Sequence, residues 1–232
     1  MARAISDIAF TPAVKVVQER LGSRAGTPAW RRGAAPPWRD RVTDDLAAFL
    51  IQRDSFYLAT ATAEGQPYIQ HRGGAAGFLK VLDDKTLAFA DFSGNRQYIT
   101  SGNLGENDKA YIFLMDYPNR RRIKIWGRAR IVEDDPELIE KLIEPGYAGK
   151  LERAILFTVE AWDVNCPQHI TPSYTEEEIP ALVSPLKQRI AELEAEVVAL
   201  QAKKDSPGFR LSAGWINESL DLMQITAVAN TS

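Results

Sequence analysis

One cysteine, Cys166, stands in a chain of 232 residues, which excludes an internal disulfide and a cysteine-based metal cluster and fits a reducing compartment. Histidine is as scarce. His71 and His169 are the only two, so a dedicated zinc site is not expected and no metal is assigned. No apolar run approaches the roughly 18 residues of a membrane helix. The first residues, MARAISDIAFTPAVKVVQ, lack the continuous apolar segment and small-residue cleavage pattern of a secretory signal. These absences predict a cytoplasmic protein with no membrane association. An excess of either charge is also missing: the formal net charge is −3, which argues against general nucleic-acid binding while leaving room for a local basic patch. The phosphate-binding P-loop, G-x-G-x-x-G, H-E-x-x-H and G-x-S-x-G patterns do not occur, so the common nucleotide, zincin and hydrolase chemistries have no support.

What is present is an ordinary globular composition, enough for one domain with extensions. Residues 1–41 read as an N-terminal arm. They hold a short helical pattern, Val14, Val17 and Leu21, ended by Gly22, and then the Pro/Arg/Trp-rich connection GTPAWRRGAAPPWRDR. Thr43-Asp44-Asp45 caps an amphipathic helix carrying Leu46, Phe49 and Leu50, which ends near Asp54. Seven strands are predicted over 56–62, 68–72, 77–82, 86–92, 110–116, 121–132 and 154–164, and helices over about 97–107 and 134–144. Many short strands with few helices predict a mainly β protein with flanking helices, built as a small, mostly antiparallel barrel. Residues 171–232 read as a C-terminal helical extension. Val183, Leu186, Ile190, Leu193, Val197 and Leu200 recur there by three and four, a seam that packs on the barrel or pairs across a dimer.

Two segments carry the chemistry. In RRIKIWGRARIV, alternation sets Ile123, Ile125, Gly127, Ala129 and Ile131 on one face and Arg122, Lys124, Trp126, Arg128 and Arg130 on the other. The basic face is either a solvated edge or a surface that meets acidic groups, an anionic ligand or another subunit. In DFSGNRQYITSGNL an apolar strand gives way to a turn rich in hydrogen-bond donors, Gly94-Asn95-Arg96-Gln97, followed by a helix. A capped surface loop and an anion site both have that pattern.

Three ordered blocks, EGQPYIQHRGG, LAFADFSGNRQ and RRRIKIWG, together resemble the pyridoxamine 5'-phosphate oxidase-like proteins over about residues 42–165. The resemblance implies an FMN-binding split β-barrel over 42–170 that forms a homodimer with the flavin at the subunit interface. Carried over residue by residue, Arg96 takes the place of the family's phosphate arginine, with Asn95 where serine is usual and Gln97 where lysine is usual. Losing that lysine leaves one cation against a phosphate dianion, so another basic residue has to compensate. Ala90 and Asp91 occupy the family's tyrosine-threonine positions. Gln70, His71 and Arg72 lie on the strand that passes the flavin ring; Gln70 replaces an arginine, and Arg72, two residues on, shares its face. Arg122 falls where a glutamine commonly lies near the flavin pyrimidine, where a cation would favour the anionic reduced flavin. The family's substrate-binding W…R-x-H-type ending does not transfer. The chain has EAWDVNCPQHI instead, in which Trp162, Asn165, Gln168 and His169 border a substrate side or else serve as core and loop residues.

The resemblance implies an FMN-dependent oxidoreductase acting on a small molecule, with NAD(P)H a possible electron donor. The alternatives are a non-catalytic flavin-binding or haem-handling module and an interaction protein without cofactor.

Overall fold

The alternation in the middle of the chain becomes a single antiparallel sheet of seven strands: β1 Ser55–Ala61, β2 Pro67–Gly73, β3 Lys80–Val81, β4 Thr86–Phe92, β5 Lys109–Asp116, β6 Arg121–Val132 and β7 Leu151–Val164. A computed structural model describes residues 4–24 and 38–204. Most of the Pro/Arg/Trp-rich connection of the N-terminal arm, and the C-terminal stretch after Lys204, lie outside the described residues. The order across the sheet is β2-β1-β5-β6-β7-β4-β3.

Period-two burial on these strands places one row inside: Phe56 and Leu58 on β1, Ile112 and Leu114 on β5, Ile123 and Ile125 on β6, Phe157 and Val159 on β7, and Leu87 and Phe89 on β4. Although β5, β6 and β7 separate β1 from β4 in the order, the Phe56 and Phe89 rings meet edge to face, with centroids 5.0 Å apart. The sheet therefore curls until its two ends approach, forming a split barrel around one core. α2, Asp44–Leu50, plugs that core with Leu46, Phe49 and Leu50, and is started by Thr43, whose hydroxyl accepts from the Leu46 N–H.

The remaining helices cover what the barrel leaves open. β4 is buried on both faces because α4, Pro136–Leu142, lays Leu138 and Leu142 over its outward Ala88 and Ala90. α3, Ile99–Glu106, follows β4 and is tied to β1 by a buried hydrogen bond from the Asn103 amide to the Thr60 hydroxyl at 2.9 Å. The N-terminal arm holds a 3-10 turn, Ile5–Ile8, and α1, Pro12–Arg20. Phe10 stacks at a tilt on Trp38, and Trp38 on Trp126 of β6, which joins the arm to the outer face of the sheet.

One expectation changes, and one open alternative closes. The strand predicted over 77–82 shrinks to Lys80–Val81, because Gly77 turns the chain at φ +78° and both Phe78 and Leu79 are buried, which a half-buried strand forbids. The basic row of β6 is not a solvated edge, since β6 lies between β5 and β7. Two of its four cations meet acidic groups: Lys124 pairs with Asp163 at 3.4 Å, and Arg128 with Asp108 at 2.7 Å and Glu160 at 2.8 Å. Those two carboxylates raise the Arg128 guanidinium above its ordinary value.

Residues 1–173 form one compact unit and the segment from Tyr174 another. The second is built on α5, Ile179–Lys204, which runs through Pro185 and by itself buries none of its apolar seam. Among the described residues no helix is long and apolar enough to cross a membrane, and no three His, Cys, Asp or Glu side chains gather as a metal site.

Candidate functional site

The seam of the barrel is where a site is built. β3 pairs only with Ala88 and Leu87, so the far half of β4 is a free edge, and β2 is the other edge of the sheet. On β2 the inward row is Tyr68, Gln70 and Arg72, set opposite Thr60, Leu58 and Phe56 of β1. On β4 the same row ends at Asp91. Across the seam Arg72 donates to the Asp91 carboxylate, and both side chains are largely buried.

After β4 the chain turns tightly. Ser93 N–H bonds the Lys150 carbonyl at 2.8 Å, and the Asn95 side chain accepts from the Gln97 N–H at 3.2 Å. Arg96 and Tyr98 both sit in the left-handed region, at φ 58° and 52°, which costs on the order of 1 kcal/mol for each non-glycine residue. Left-handed residues alternating with ordinary ones turn backbone N–H groups to one side, a concavity suited to an anion. α3 starts at the end of this turn with no side-chain cap on its first N–H groups, so its positive end also faces the turn. Gln70 is fixed from the helix by the Thr100 hydroxyl at 3.0 Å.

Together these elements form a cavity of about 180 Å³ between β2, the end of β4, the turn 94–98 and the start of α3, with Glu152 of β7 in its lining. Under it lies Arg153, the cross-strand partner of Asp91. Its guanidinium is 3.5 Å from Asp91, 3.1 Å from Glu152 and 3.3 Å from Glu133, and it lies over the Tyr98 ring at 5.0 Å. Burial works against that charge, but the hydrogen bond that Arg153 donates to Glu152 and the charges of Asp91 and Glu133 outweigh it and raise Arg153 above its ordinary value. The Nε atoms of Arg72 and Arg153 are buried without a hydrogen-bond partner.

A second, larger cavity of about 540 Å³ opens on the other face of the same sheet. Its wall is the outward row: Tyr57, Ile69, Phe113 and Met115, with Arg122 at one end. Arg122 Nε is buried and unpartnered. The loop after β7 completes it, anchored by buried Ile170, with His169 held at φ 61°. Further along the outer face, burial raises the Tyr111 phenol well above its ordinary value, with Arg122 lowering it and Asp163 raising it.

The residues singled out from the sequence divide between these places. Gln70, Arg72, Asp91, Asn95, Arg96 and Gln97 share the turn cavity, while Arg122 and His169 line the outer one. His71 points outward against Tyr57, with ring centroids 5.6 Å apart. Ala90 faces α4, away from the turn. Trp162 is a core residue whose indole N–H donates to the Arg41 carbonyl at 2.7 Å. Asn165 donates its backbone N–H to Arg122, and Gln168 is exposed. Arg153, Glu152 and Tyr98 escape a reading of the sequence. Arg153 and Glu152 enter only through the pairing of β4 with β7, and Tyr98 through a backbone angle.

No curated protein matches the chain. Solved structures with similar folds include HupZ of Group A Streptococcus, at 21% identity over 57% of this chain and 99% of that one with a TM-score of 0.45. An FMN-binding protein from Syntrophomonas wolfei shares 16% identity over 65% and 97%, TM-score 0.41. The haem storage protein HutZ of Vibrio cholerae shares 16% over 53% and 94%, TM-score 0.37. The family model described as pyridoxamine 5'-phosphate oxidase matches residues 42–166, more than half of the chain and the whole span from α2 through β7. The chain belongs to the pyridoxamine 5'-phosphate oxidase family.

Proposed function

We propose that this protein binds FMN through its phosphate arm in the turn cavity and works as an FMN-dependent oxidoreductase on a small molecule, as a homodimer. The observation that carries the reading is the placement of Arg72. Its buried guanidinium faces the cavity across the seam from a turn that presents Arg96 and two left-handed residues beside an uncapped helix start. That donor set fits a phosphate, with Arg72 as a second cation beside Arg96 whose charge is shared with Asp91.

The bound flavin supplies hydride or electron transfer, and the protein holds and tunes it. Arg72 and Arg96 hold the phosphate arm. Gln70, fixed by Thr100, orients the strand beside it. Arg122, with its unpartnered Nε, is a fixed positive charge that would favour an anionic reduced ring, but it faces the opposite side of the sheet and shares no cavity with Arg96. A flavin that meets both therefore draws Arg122 from a second copy of the chain. The apolar outer face, with Tyr57, Phe113 and Met115 beside an Ile69 that is 61% exposed, supports such an interface.

The test is the spectrum of the purified protein together with the mass of any small molecule released on denaturation. The proposal expects flavin absorption bands, the mass of FMN, and bleaching by a reductant such as NADPH with recovery in air. A colourless protein that fails to take up added FMN would falsify it.

A further inference from the structure

We infer that Asp91 makes the turn cavity select a singly charged phosphate, either a phosphodiester or a monoester carrying one proton, over a phosphate dianion. The inference rests on the phosphate reading above and narrows the ligand which that site takes.

The charges around the cavity balance. Arg72 and Arg96 line it, and so do the carboxylates of Asp91 and Glu152. Arg153 beneath adds little, because its guanidinium is divided among Asp91, Glu152 and Glu133. Gln97 brings no charge. Tyr98 at the turn places its ring against the Arg153 guanidinium. A ligand phosphate held by Arg72 must share that guanidinium with Asp91, which is already bonded to it. Asp91 has no room to withdraw: it is 8% exposed and held by two arginines from neighbouring strands.

With the two cations and two carboxylates of the lining in balance, a singly charged phosphate brings the arrangement to −1 and a dianion brings it to −2. A second negative charge faces a fixed carboxylate within one side chain's reach with no cation in excess, a cost of about tenfold or more in affinity at the effective dielectric of a partly buried site. The turn also leaves a way out for a diester's second substituent, since Ser93 through Ile99 are exposed. A monoester that keeps one proton can donate it to Asp91.

The experiment compares FMN with its 5'-monomethyl phosphate ester, which differ by one methyl group and one charge, by quenching of flavin fluorescence in the full-length protein. At about pH 8, above the second phosphate pKa of roughly 6, the ester is expected to bind the unmodified protein at least as tightly as FMN. Asp91→Asn should shift the ratio toward FMN by about tenfold. Lowering the pH of the unmodified protein to about 5 should also let FMN gain on the ester as the phosphate takes its proton. Because the two ligands differ in charge, any protein group that takes a proton moves the ratio in the same direction, so this arm reads the site's preference for a single charge and the variant reads its source. The pH arm needs no variant, and a ratio that stays fixed or moves toward the ester on acidification overturns the preference if Asp91→Asn does not fold.

FMN binding tenfold or more tighter than the ester at the higher pH would overturn the inference, as would an unchanged ratio in Asp91→Asn with both ligands bound. Riboflavin binding as tightly as FMN and the ester removes the phosphate reading itself, and this inference with it. The two failures are thus told apart.

Discussion

Gly127 shows what a single missing side chain does here. It lies in β6 just after a bulge, and a Cβ there would collide with the Thr158 carbonyl and the Phe157 ring. Gly127→Ala should therefore destabilise the protein by about 2–3 kcal/mol or more through forced repacking, read as a lower denaturation midpoint in guanidinium chloride. The glycine itself is plain in the sequence, midway along a basic strand. The reason for it is not, because Phe157 and Thr158 lie thirty positions away on β7. Arg153 has the same history. Arg96 could be read from its turn, whereas Arg153 gains its place only from the register that sets it opposite Asp91, and no local pattern encodes register between strands so far apart.

At the scale of elements, α3 connects the fold to the site, since its start faces the turn and its middle is held to β1. Asn103→Ala would leave the buried Thr60 hydroxyl without its donor, at a cost of about 1–3 kcal/mol, and should weaken flavin binding along with stability. Measuring both by thermal melts with and without FMN separates the two effects. The segment that leads into α2 is tied electrostatically to the turn between β3 and β4. Lys85 donates to the Asp40 carboxylate at 2.9 Å and holds it below its ordinary value. A lowered carboxylate contributes stability that is complete above its unfolded pKa and lost as pH falls through the folded one. Asp40→Asn should accordingly melt lower than the parent near neutral pH, with the gap closing below about pH 4. Strands and helices of this kind were largely legible, because period two, capping residues and turn chemistry are local. The strand at 77–82 was not, since burial of two successive side chains is decided by what the barrel leaves to be filled.

The molecule as a whole is arranged around a seam and an outer face. The seam brings β2 and β4 together at Arg72 and Asp91, and the outer face of β1, β5 and β6 carries aromatic and apolar side chains beside Arg122. If that face joins two copies, Phe113→Glu or Met115→Glu should give a monomer by light scattering and lower flavin occupancy together. A dimer that persists in both variants places the interface elsewhere. The curling of the sheet follows from its antiparallel strands and single core, but which side chains meet across the seam follows from closure and is invisible in any one segment. The central claim is that the turn after β4 holds a flavin phosphate. Its most direct test is fluorescence titration of FMN against the parent protein, Arg96→Ala and Arg72→Gln, with folding checked by circular dichroism. The account predicts saturable binding by the parent, weakened about tenfold or more in each folded variant by loss of a charge-assisted contact. Undiminished FMN affinity in both variants would contradict it.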